Sequence, residues 1–202
     1  LWKPLVKANV TDTSDLTTSI KKAKAEGKTF EDYISSQEKE GKILYHWSKE
    51  KITEFDKSKS KVWEAVFFTK DEWFAKVYWW EWGNINKVII PDSVKTIDFT
   101  DPKQYDSFVK EVNKIYPWLA WKMETKEIRD ALLKKDYMFI EIETLWIKDA
   151  LKKLWYDWYT VYESWLPWYE KLTKNIALFD PSKAKTTSQL RTERDKLDNA
   201  WL

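Results

Sequence analysis

Three glycines in 202 residues leave this chain few places to take a left-handed backbone. Glycine averages about 7% of a globular chain, roughly 14 residues at this length. Tryptophan runs the other way, at 15. The positions of the indoles repeat the count. Trp155 follows the helical run Ile147–Leu154, where a left-handed C-terminal cap wants glycine. Trp158, in Tyr156-Asp157-Trp158-Tyr159, stands where an Asp-Gly turn is expected. Trp79, Trp80 and Trp82 crowd a loop before Gly83. A positive φ costs a Cβ-bearing residue about 1 kcal/mol or more, so rings of this size have no physical reason to gather in turns. Genetic codes that read UGA as glycine and codes that read it as tryptophan both exist. A gene written for one and read by the other yields this pattern. The alternative is a true aromatic-rich protein that stacks carbohydrate or single-stranded nucleic acid.

The rest of the composition narrows the function classes. A net charge of +2, with both signs interspersed, gives no electrostatic footprint for nucleic acid or an anionic membrane. No cysteine excludes disulfides and thiolate metal sites. One histidine, His46, without a paired-histidine spacing argues against zinc. No apolar run approaches the ~20 residues of a membrane span, and no signal peptide is visible. These features favour a cytoplasmic protein. The chain opens on Leu1, as a piece of a longer polyprotein would.

Periodicity supplies the elements. Helical patterns run from Asp15 to Glu26, ended by Gly27, and over Thr29–Lys39, with Phe30, Tyr33 and Ile34 on one face. Two short apolar runs, Ile43–Tyr45 and Ala65–Phe68, read as buried strands. His46 follows the first. A short helix, Lys70–Tyr78, follows the second, and between them Lys49–Lys61 is a polar loop. Lys87–Ile90 and Val94–Phe99 are further strands about a Pro91-Asp92 turn. Gln104–Tyr116 and Thr125–Lys135 are amphipathic helices. The short apolar run Phe139–Ile142 and helix Ile147–Leu154 come next, then strands Tyr159–Tyr162 and Ile176–Phe179. The organisation expected is an N-terminal helical segment over 1–41, a domain over 42–185 and a polar tail over 186–202, itself a frayed helix or linker.

Two stretches carry a resemblance. Tyr45-His46-Trp47-Ser48 ends one strand. Trp63-Glu64-Ala65-Val66-Phe67-Phe68-Thr69 forms the other, and Ala75-Lys76-Val77-Tyr78 follows on a helix. Together they resemble the ADP-ribosyltransferase fold, in the branch of the poly-ADP-ribose polymerases, diphtheria-type toxins and phage polyvalent-protein transferase domains. That family writes Tyr-His-Gly-Ser/Thr and Gly-x-x-Ile/Val-Phe/Tyr-Phe-Thr/Ala. This chain departs from it where the family has glycine, at Trp47 and Trp63.

The resemblance implies an α+β fold: a split mixed or antiparallel sheet, N-terminal helices and a helical insertion between strands. It implies a mono-ADP-ribosyltransferase that uses NAD as substrate and a host or cellular protein as acceptor, carried on a phage or mobile-element polyprotein and, in that setting, delivered into a host cell with a virion. His46 would bond a ribose hydroxyl of NAD. Residue 47 would grip the nicotinamide amide through its backbone, Ser48 would orient neighbours, and Phe67 and Tyr78 would sandwich the ring. The family's last catalytic residue is a glutamate. Asn175 stands there, with Glu163 on the preceding strand as a substitute. Asn175 cannot supply negative charge to an oxocarbenium ion. A catalytically inactive module that binds NAD or a partner is therefore the alternative.

Overall fold

The computed structural model describes residues 14–55, 65–77, 83–129, 142, 146–163 and 173–199. Two helices lead in, α1 (Ser14–Ala25) and α2 (Phe30–Lys39). Thr29 and Asp32 start α2 with a reciprocal capping box. Both helices end on glycine with positive φ, +75° at Gly27 and +68° at Gly41. Each stop has the same two bonds, Gly27 N–H to Lys24 and Lys28 N–H to Ala23, then Gly41 to Glu38 and Lys42 to Gln37. This is the Schellman arrangement, which satisfies the last carbonyls of a helix.

Then come β1 (Ile43–Ser48), β2 (Val66–Thr69), α3 (Glu72–Val77), β3 (Asn84–Ile89) and β4 (Thr96–Asp98). Helices α4 (Pro102–Asn113), α5 (Pro117–Met123) and α6 (Ile147–Lys153) lie between β4 and β5 (Trp158–Glu163). Strands β6 (Thr173–Leu178) and β7 (Lys185–Thr186) and helix α7 (Thr187–Asn199) close the described chain.

Among the described residues the strands form one seven-stranded sheet, ordered β4-β5-β6-β2-β1-β3-β7. Only β4 and β5 are parallel. Parallel neighbours require a crossover, and α4–α6 occupy it. The chain is thus α+β with a mixed sheet, N-terminal helices and helices inserted between strands. None of the described helices is long and apolar enough to cross a membrane.

The sheet is not uniformly joined. β1 pairs with β3 at six positions, from Ile43↔Ile89 to Ser48↔Asn84. β2 pairs with β6 at four. β1 and β2 share one pair, Tyr45↔Thr69. Among the described residues β1 and β2 form no further pair. On one face each half has its own core, and on the other a single core spans both. Phe99, Tyr105, Phe108, Leu119, Met123, Ile147 and Tyr159 fill the space between α4–α6 and the β4-β5-β6-β2 half. Leu16, Ile20, Phe30, Tyr33, Ile43, Ile89 and Leu190 join α1, α2 and α7 to the β1-β3 half. Leu44, Phe55, Phe68, Val88, Ile176 and Leu178 cover the opposite face.

Several sequence expectations shift. β1 runs three residues past Tyr45, because its ladder with β3 continues to Ser48, so His46 lies inside the strand. Asp101 caps α4 with Pro102 in its first turn, two residues earlier than the periodicity marks. A break at Tyr116 (φ −141°, ψ 73°) separates α5, since Pro117 excludes its predecessor from the α region. Trp158 is no turn residue: it opens β5, opposite Thr96 and Leu178. Asp157 holds it there, bonding Lys95 through both backbone and carboxylate and accepting from Phe179 N–H. Of the expected helix over 125–135, residues 126–129 are helical and 130–135 lie outside the described residues. So does the run 139–142 apart from Ile142, which is fully buried. Within the expected polar tail, α7 starts on a capping box of Thr186 and Gln189 and buries Leu190.

Candidate functional site

The site is built where β1 and β2 separate. Side chains alternate along a strand, so the Tyr45↔Thr69 pair sets both faces. His46 shares a face with Ser48, Phe68 and Asn86. Trp47 lies on the other face with Phe67, and the β2–β6 register adds Asn175 to that face.

His46 reaches across the gap. Its Nδ1 donates to the Phe67 carbonyl at 2.8 Å, the group that an unbroken ladder would pair with Trp47. A carbonyl only accepts, so the proton sits on Nδ1 and Nε2 presents a lone pair. The ring packs against Phe55 and Phe68, each at 5.5 Å between centroids. Burial among these rings lowers the imidazole pKa from its ordinary value, with the Phe67 carbonyl opposing that shift. The folded chain therefore favours neutral His46 near neutral pH.

A polar pin holds the chain beside it. Asn86 is buried and its Nδ2 donates to Ser48 Oγ at 2.8 Å and to the His46 carbonyl at 3.3 Å. Its Oδ1 accepts from Ile52 N–H at 3.1 Å. Ser48 Oγ donates in turn to the Glu50 carbonyl. These bonds fold residues 49–55 down over His46, and Ile52 and Phe55 seal them to the sheet.

On the other face the Trp47 indole lies against the backbone of Gly83, where a Cβ would stand 2.4 Å from its Nε1. Phe67 is half-buried and packs against the cluster beneath the inserted helices. Asn175 is buried within β6, in register with Thr69 and Val161. Tyr45 ties β1 to α2 through Glu38, which also meets Lys87. Burial, then the Glu38 charge, pushes the Tyr45 phenol to about 12, so it is no acid at neutral pH.

The structure thus places His46, Trp47, Ser48, Phe67 and Asn175 on three adjacent strands, but divides them between two faces. Glu163 is the last residue of β5, in register with Thr173, and its side chain lies outside the described residues. Tyr78 and Trp63 lie outside them as well; α3 ends one residue before Tyr78. Two members of the site escape the sequence reading. Phe55 carried a signal: with Ile52 it is one of the two apolar residues in the polar loop Lys49–Lys61. Asn86 carried none, since only the register puts it opposite His46.

Chemically, the region offers a neutral imidazole on one face of the sheet and the half-buried Phe67 ring on the other. Comparison with protein-family models, curated proteins and solved structures finds no match to this chain.

Proposed function

We propose that this chain is an NAD-dependent mono-ADP-ribosyltransferase that modifies host or cellular proteins, within a phage or mobile-element polyprotein. The observation that supports it is the split between β1 and β2. The motif positions His46, Trp47 and Phe67 flank that split, and Asn175 stands one strand away.

In this reading the C1′–nitrogen bond between ribose and nicotinamide breaks, and nicotinamide leaves with the bonding pair. The acceptor side chain forms the new bond to C1′ and releases its proton to solvent. His46 Nε2 accepts from a ribose hydroxyl and fixes the sugar. The backbone of residue 47 meets the nicotinamide amide, and Phe67 stacks on its ring with Tyr78. Asn175 bonds a hydroxyl without supplying charge. That last point favours a second reading, a module that binds NAD and does not transfer it.

Incubation with labelled NAD and a host-cell lysate tests both. Label on protein, lost in His46→Ala, is the expected result. Saturable NAD binding without transfer moves the assignment to the second reading. Failure of the chain and of its Trp47→Gly variant to bind NAD removes both.

A further inference from the structure

Among the described residues, two that are not glycine have positive φ, and both are tryptophan: Trp146 at 65° and Trp155 at 62°. The other two residues in that region are Gly27 and Gly41.

The stop of α6 repeats the stops of α1 and α2 bond for bond. Trp155 N–H bonds the Lys152 carbonyl at 3.1 Å and Tyr156 N–H bonds that of Leu151 at 2.9 Å. In α1 and α2 the residue at this point is glycine. The backbone therefore takes the glycine conformation with a Cβ in place. Trp146 does the same at the N-cap of α6, where it makes no side-chain cap bond and glycine is among the accepted residues.

Among the described residues nothing offsets the strain. The two residues are 64% and 62% exposed, so burial does not hold them. Trp118 touches Trp146 only edge-on, at 6.5 Å between centroids. A third indole has an unmet need: Trp158 is extended and packs on the core, yet its buried Nε1–H finds no acceptor among the described residues. Its removal would leave no orphan donor.

We infer that the translation system for which this gene is written places glycine at 146 and 155, through a UGA codon that other systems read as tryptophan. The partner this implies is a glycine tRNA that decodes UGA. The inference rests on backbone geometry and stands apart from the proposed reaction.

Peptide mapping by mass spectrometry, on protein from the cells that naturally make it, decides the point. Glycine at both positions is expected, and tryptophan at either overturns the inference. The geometric argument has its own test in the tryptophan-bearing chain. Trp155→Gly and Trp146→Gly should each raise Tm by about 2–4 °C, the shift of one relieved left-handed residue at this chain length. Trp155→Ala keeps the Cβ and should give only a small part of that rise. Trp121→Gly, in the right-handed interior of α5, should lower Tm. Equal shifts for glycine and alanine at 155, or a rise at 121, would trace the gain to loss of an exposed ring and overturn the argument.

Discussion

The two edges of β1 differ sharply. Toward β3 the strand pairs along its whole length. Toward β2 it pairs once, and the side chain of His46 replaces the next rung. One edge is a continuous ladder and the other is held by one pair and a side-chain bond.

The largest effect should come from breaking the closed edge. Ile89 is buried in β3 opposite Ile43, in the cluster that holds α1, α2 and α7. Ile89→Ala should destabilise the fold by about 2–5 kcal/mol, through lost burial and the cavity left behind. Urea denaturation followed by circular dichroism reads this directly. The open edge should be far less sensitive. His46→Phe keeps the ring among Phe55 and Phe68 and deletes one hydrogen bond, which contributes about 0.5–1.5 kcal/mol. Equal losses would mean that the gap is as load-sharing as the ladder.

The same contrast explains what the sequence made legible. Local signals survived into the structure. Thr29-x-x-Asp32 capped a helix, Gly27 and Gly41 ended two, and apolar runs became β1, β2, β5 and β6. Pairing was not local. No residue type near Tyr45 announces that its ladder with β2 stops there, and nothing at Asn86 announces a pin for Ser48. The α+β class with a mixed sheet was legible, and only the register showed where the β1–β2 pairing ends. Trp158 misled because Asp-x after a helix reads as a turn, whereas Asp157 spends its backbone and carboxylate on Lys95 and Phe179. Helix α7 was open to reading: Thr186-x-x-Gln189 is a capping box, and Leu190 follows it as the apolar anchor.

A substitution at Trp47 sharpens the open edge. The indole occupies the face shared with Phe67 and rests on Gly83, so it fills space that a ligand in the split would need. Trp47→Gly should change stability little, because the lost ring contacts are set against a freed backbone. NAD affinity should rise at least about tenfold by isothermal titration calorimetry, equivalent to roughly 1.4 kcal/mol. An unchanged or weaker affinity would place the nicotinamide elsewhere. It would leave the residue identities at 146 and 155 untouched.

The smallest effect is a pH slope, and its sign separates the two edges once more. Above pH ~6.5, the ordinary histidine value, His46 is neutral in both folded and unfolded chains and contributes no slope. Below it the unfolded chain takes up a proton that the folded chain resists, since burial lowers the folded-state pKa. Stability then falls as pH falls, by at most about 1.4 kcal/mol per unit, until the folded pKa is passed. Carboxylates elsewhere add their own slopes, so the measure is a difference. His46→Phe should lose less Tm than the parent chain between pH 7 and 5, and Ile89→Ala should lose as much as the parent. Parallel profiles for parent and His46→Phe would mean that the imidazole titrates in water and does not span the gap.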